Sequence, residues 1–175
     1  EVRGGALIAH PHPLFGGNVH VPLLRTVAAR LCEAGHPVMR FNFRGVGASE
    51  GKWSGGGAEE DDVAAAVQAA RTAFPDRPPA LAGWSFGAVA ALRWQAAESA
   101  PAAFAGIAPP VQTDLAPPLP APQSLPPAPR LFLLGDRDQY TPVAALDSYA
   151  AAAGAALLVQ PGSDHYFFGR EAQVA

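Results

Sequence analysis

One stretch limits this chain more than any other: Pro79-Ala80-Leu81-Ala82-Gly83-Trp84-Ser85-Phe86-Gly87-Ala88-Val89-Ala90-Ala91-Leu92. Its first residues form a short apolar run that predicts a buried strand. From Gly87 onward it is rich in Ala, Leu and Val and predicts a helix. Between the two lies Gly-x-Ser-x-Gly. A serine on so sharp a strand-to-helix turn sits in a strained backbone conformation with its hydroxyl exposed. The residues two before and two after it must be small, because the helix folds back against the strand. The new helix also turns its free N–H groups and positive dipole end toward the serine, a favourable place to develop negative charge on an oxygen. The stretch resists a bland reading as an ordinary turn because of its context, an apolar strand before it and an Ala-rich helix after.

The stretch resembles the nucleophile elbow of the α/β-hydrolase superfamily. That resemblance requires an acid, a histidine and an oxyanion hole elsewhere in the chain. At 175 residues the chain is one domain, 1–175, large enough for a real core. A net charge of -3 argues against nucleic acid as a partner. The single cysteine, Cys32, excludes an intrachain disulfide and reads as a small buried residue on a helix. No stretch is long enough to span a membrane. The expected location is the cytoplasm, although a chain that starts at Glu1 gives no evidence on targeting.

Ala6-Leu7-Ile8-Ala9 predicts the first buried strand, which runs into His10-Pro11-His12-Pro13-Leu14-Phe15-Gly16-Gly17. The alternation of His10 and His12 invites a metal, but no third ligand is near in sequence, and loop packing is the better reading. The functional reading is that this loop lends a backbone N–H to an oxyanion hole with that of Phe86. Pro13 has none, so Leu14 is the favoured donor and Phe15 the alternative. Residues 18–34 predict a helix stopped by Gly35, and 37–43 a strand. The loop from Arg44 to Gly51 looks like a phosphate loop but fails as one, since Trp53 stands where Ser or Thr is needed. Gly55-Gly56-Gly57 reads as a hinge-like break. Glu59-Glu60-Asp61-Asp62 reads as the solvated, dipole-matched start of a helix reaching Phe74. Residues 75–79 form a linker into the elbow strand.

Further strands are expected at 103–107, 130–134 and 156–160, with a helix from Pro142 to about Ala153 and the start of another over 167–175. Residues 109–129 hold nine of the nineteen prolines and cannot form a helical cap, leaving an extended loop, ordered or mobile. Alternating strands and helices imply a parallel sheet covered on both faces, a three-layer α/β/α sandwich. Leu14, Ser85, Asp136 or Asp138, and His165 then all fall just past the C-terminal end of a strand. Ser, then Asp, then His is the α/β-hydrolase order.

Taken together, HPHPLFGG, RFNFRGVGASEG, GWSFG, GDRDQYTP and PGSDHYFFG resemble a family of small bacterial α/β-hydrolases without a large lid. The resemblance covers nearly the whole chain. It implies Ser85 as nucleophile, His165 as base and Asp138 as acid, with strand 38–43 beside strand 6–10 at a sheet edge. It also implies strands ahead of Glu1 and a longer final helix, so the natural protein is expected to extend beyond this sequence. The expected activity is hydrolysis of small carboxylic esters through an acyl-enzyme, with Phe15 and Trp84 contacting substrate. No metal or organic cofactor is expected, and no nucleic-acid or membrane partner. An acyltransferase, thioesterase or peptidase would use the same triad, and a non-catalytic binding module would normally have lost one of its members.

Overall fold

The computed structural model describes residues 4–75, 79–111 and 113–175. The linker expected at 75–79 lies largely outside the described residues, as do any strands ahead of Glu1. The elements in chain order are β1 (Ala6–Ala9), α1 (Pro22–Glu33), β2 (Val38–Phe41), α2 (Glu59–Ala73), β3 (Ala80–Trp84), α3 (Phe86–Ala97), β4 (Phe104–Ile107), β5 (Arg130–Gly135), α4 (Val143–Ala152), β6 (Ala156–Gln160) and α5 (Glu171–Val174). The six strands form one sheet in the order β2-β1-β3-β4-β5-β6, every pair parallel. β2 stands at the edge beside β1, as the family resemblance implied. Helices α2 and α3 pack together and α1 packs with α5, which divides helices between two layers around the sheet. The fold is an α/β-hydrolase sandwich. No described helix is long and apolar enough to cross a membrane.

Central position explains the burial pattern. β1 is buried along its whole length, and α3 is buried on almost every side from Phe86 to Leu92. A helix apolar all round must lie inside a core. Phe43, Phe86, Phe132, Leu7, Ile8 and Leu134 are among its fully buried side chains.

Several boundaries differ from the sequence reading, each for a local polar reason. β2 stops at Phe41 because Phe43 gives its N–H to the ring of His10 rather than to a strand, at 3.1 Å. α1 starts at Pro22, not Asn18. Asn18 Oδ1 accepts the N–H of His20, and Asn42 Oδ1 accepts that of Val19, so this stretch is a turn. The final helix begins only at Glu171, since Asp164 Oδ1 binds the N–H groups of Tyr166 and Phe167 in a side-chain-capped turn. Cys32 is exposed rather than buried as expected, because it lies in the last turn of α1, beyond the buried Leu23, Leu24 and Ala28.

The acidic start of α2 is not the solvated turn that its composition suggests. Glu59 is fully buried and accepts hydrogen bonds from Ser54 N, Ser54 Oγ and Gly56 N, which pins the glycine stretch expected to act as a hinge. Asp62 clamps the guanidinium of Arg44, and Glu60 pairs with Arg93. Among its described residues the proline-rich segment forms no helix beyond a single turn at Pro122–Ser124. Its carbonyls are taken up by the scaffold: Thr141 Oγ1 donates to Pro109 O, Arg93 to Pro118 O, Tyr149 Oη to Pro120 O, and Arg130 to Pro126 O. A segment poor in N–H groups is thus ordered through its acceptors.

Candidate active site

β3 ends at Trp84 and α3 begins at Phe86, so the entire turn is Ser85, with φ 54° and ψ −123°. A non-glycine residue at positive φ is strained and persists only where its surroundings fix it. Here they do. Ser85 N–H donates to Ile107 O at 2.8 Å. A Cβ on Gly83 would overlap the backbone of Gly87 and Ala88, and one on Gly87 would overlap the carbonyl oxygens of Ala9 and His10. The two glycines therefore let α3 close onto β3 and onto the end of β1.

The exits of β5 and β6 meet this turn. His165 Nε2 lies 2.9 Å from Ser85 Oγ, and His165 Nδ1 lies 2.8 Å from Asp138 Oδ2. A carboxylate can only accept, so Nδ1 carries the proton and Nε2 is left as the acceptor for the serine hydroxyl. The second oxygen, Asp138 Oδ1, accepts the N–H groups of Tyr140 at 2.8 Å and Thr141 at 2.9 Å, which fixes the carboxylate plane. Asp136 faces elsewhere: its Oδ1 accepts the N–H of Gly162 at 2.7 Å and ties the two exit loops together. Gly135 has no room for a Cβ against Ser163 O, and Arg137 N–H donates to that same oxygen. Trp84 Nε1 donates to His165 O, adding a strut from the elbow to the histidine loop.

The loop after β1 is built around its histidines. His10 is fully buried, with Nε2 accepting from Phe43 N and Nδ1 donating to Pro11 O at 2.7 Å. Burial lowers its pKa from 6.5 to about 4, in keeping with the neutral ring those bonds require. Both nitrogens are thereby engaged within the protein. His12 packs against Phe15, Trp53 and Phe86, and burial lowers its pKa as well.

The expectation for Leu14 fails on local geometry. Residues 13–15 form one tight turn, in which Leu14 N–H donates to His12 Nδ1 and Phe15 N–H donates to His12 O. Both expected donors are consumed by closing that turn. Among the described residues, no acceptor engages the N–H of His12 or of Phe86.

Around Ser85 and His165 is a cleft of about 370 Å³ with mostly apolar walls. Phe15 and Trp84 both line it; Phe15 is 68% exposed, whereas Trp84 is almost buried. Sequence reasoning missed Tyr140, Tyr166 and Phe168, which also line it. Their only signal was position, two residues after Asp138 and one and three after His165.

Residues 11–133 match the family model Hydrolase_4, described as "Serine aminopeptidase, S33". The chain is 38% identical over 109 residues to an uncharacterised protein of Rickettsia prowazekii (strain Madrid E), an alignment spanning 62% of this chain and 46% of that protein. Less than half of that relative's length is thus represented. Among solved structures, an α/β serine hydrolase homologue from Coxiella burnetii superposes with a TM-score of 0.84 at 30% identity, covering 99% of this chain and 81% of the other. XC6422 from Xanthomonas campestris, described as an α/β serine hydrolase without lid, superposes with a TM-score of 0.85 at 31% identity, covering 99% and 78%.

Proposed function

The chain belongs to the serine aminopeptidase S33 family of α/β serine hydrolases, and on that premise we propose that Ser85, His165 and Asp138 are the triad by which it cleaves small carboxylic esters. The observation that carries this reading is the unbroken line from Ser85 Oγ to His165 Nε2 at 2.9 Å and from His165 Nδ1 to Asp138 at 2.8 Å. In the first step Ser85 Oγ bonds to the carbonyl carbon and gives its proton to Nε2. The ester C–O bond then breaks, and the same proton passes from Nε2 to the departing alcohol oxygen. Water repeats the sequence on the acyl-enzyme, releasing the acid and restoring Ser85. Asp138 holds the histidine tautomer and stabilises the imidazolium formed in between.

Charge on the substrate oxygen is received in this reading by the N–H of Phe86, at the start of α3, and by that of His12. His12 replaces Leu14 in the role because its N–H is not spent on the turn it begins. Residues 109–129 stand in place of a cap over a single hydrolase domain. A cleft of about 370 Å³ is near the lower end of ligand sites, which favours substrates of modest size.

The test is a series of p-nitrophenyl esters from acetate to palmitate, with p-nitroanilides alongside and Ser85→Ala as control. Short acyl chains are expected to react best, and an active-site-directed phosphonate is expected to label Ser85. Activity that rises steadily with chain length overturns the small-ester reading. Activity unchanged in Ser85→Ala overturns the mechanism, and turnover of the anilides alone moves the reading to a peptidase.

A further inference from the structure

The reaction distinguishes two sides of the cleft. The protonated base hands its proton to the departing oxygen, so the alcohol part of an ester lies on the His165 side. That side is walled by three aromatic rings. Tyr140 and Tyr166 stand edge-to-face against the His165 ring, at centroid distances of 4.8 Å and 5.5 Å, with their hydroxyls 3.2 Å apart. Phe168 stacks on Tyr166 at 5.5 Å with 17° between the planes.

Phe168 does not belong to the core. It is 75% exposed, yet the turn that presents it is firmly built. Its neighbour Phe167 is fully buried at φ 54°, and Asp164 Oδ1 holds the N–H groups of Tyr166 and Phe167. Burying one phenylalanine at a strained turn forces the next one outward, to the rim of the cleft it lines. An exposed large apolar group held in a fixed place beside a reactive centre calls for a ligand that covers it.

We propose that the substrates are esters whose alcohol part carries a flat aromatic or conjugated group, received on the Tyr166–Phe168 stack. This rests on the ester-hydrolase reading of Ser85 and adds the chemistry of the leaving-group side. A saturated ring of equal size removes similar apolar area from water but gains no stacking. The difference expected from an added aromatic contact is about threefold to tenfold.

The experiment compares benzyl acetate with cyclohexylmethyl acetate. The two share an acyl group, a carbon skeleton and a primary alcohol, and differ in the flatness of the ring. The expected kcat/KM ratio favours benzyl acetate by about threefold to tenfold in the parent protein. It is expected to fall to near one in Phe168→Ala and Phe168→Leu, and to persist in Phe168→Trp. A merely structural role for Phe168 would lower both esters together and leave the ratio alone. If both esters turn over too slowly to measure, inhibition of p-nitrophenyl acetate hydrolysis by benzyl alcohol and by cyclohexylmethanol gives the same ratio. A ratio near one in the parent, or one untouched by Phe168→Ala and Phe168→Leu, overturns the proposal and leaves the ester hydrolase standing. No hydrolysis of any ester, p-nitrophenyl acetate included, overturns both.

Discussion

At the scale of residues, two aspartates three positions or fewer from the same strand end have different physical fates. Asp138 puts one oxygen on His165 Nδ1 and the other on two backbone N–H groups. Asp138→Asn can offer an amide N–H to Nδ1, which reverses the tautomer, so turnover of an activated ester is expected to fall by about 10⁴. Asp136→Asn keeps its acceptor for Gly162 N–H and is expected to cost far less; a larger loss at Asp136 in the same assay would reverse the assignment. His10 supports a second prediction. Its folded pKa, about 4, lies below the unfolded value of 6.5, because burial disfavours the charged ring. In the range between those values the unfolded chain binds the extra proton, so folding weakens as pH falls. This contribution is fully present above about pH 6.5 and is lost toward pH 4, by up to about 3 kcal/mol. His12 shifts the same way. Urea unfolding at pH 7 and pH 4.5 is expected to show the fall, and His10→Asn is expected to flatten it.

At the scale of elements, the site depends on how closely α3 approaches β1. Gly87 is the point of contact, and its lack of a Cβ matters more there than any freedom of φ. Gly87→Ala would push α3 off the carbonyls of Ala9 and His10 and misplace Ser85. A cost of about 3 kcal/mol is expected, together with loss of phosphonate labelling in whatever folded protein remains. Thermal unfolding and labelling yield read the two effects separately. The elbow was legible in the sequence because strand, turn and helix are consecutive there and each needs a distinct residue type. The loop after β1 was less so. Its proline and glycine content marked it as a ligand edge, but which N–H remains free depends on His12 turning its ring back onto Leu14.

At the scale of the whole molecule, the sheet has two edges among the described residues, and they are unlike. β2 is half-buried throughout. β6 is more open, with Leu158 54% exposed, and an exposed apolar edge strand invites pairing with another chain. Leu158→Lys is expected to reduce concentration-dependent association in sedimentation velocity while leaving the melting temperature nearly unchanged. An unchanged association constant would place the sticky surface elsewhere.

The amino-acid sequence alone determined the strand positions, the parallel alternation and the arrival of Ser85, His165 and two candidate acids, Asp136 and Asp138, at one edge, the choice of Asp138 resting on the family resemblance. Those follow from local periodicity, and from a topology that carries every strand end to the same side of the sheet. Tertiary structure decided what depended on partners distant in sequence. It turned Glu59, Glu60 and Asp62 of α2 from solvent to Ser54, Arg93 and Arg44, and it ordered the proline-rich segment through Arg93, Arg130, Thr141 and Tyr149. It also set Tyr140 against Tyr166 beside His165, across 26 residues of chain. A hydrogen bond or an aromatic contact of that kind leaves no period in the sequence, because its geometry exists only once the sheet has brought the two loops together.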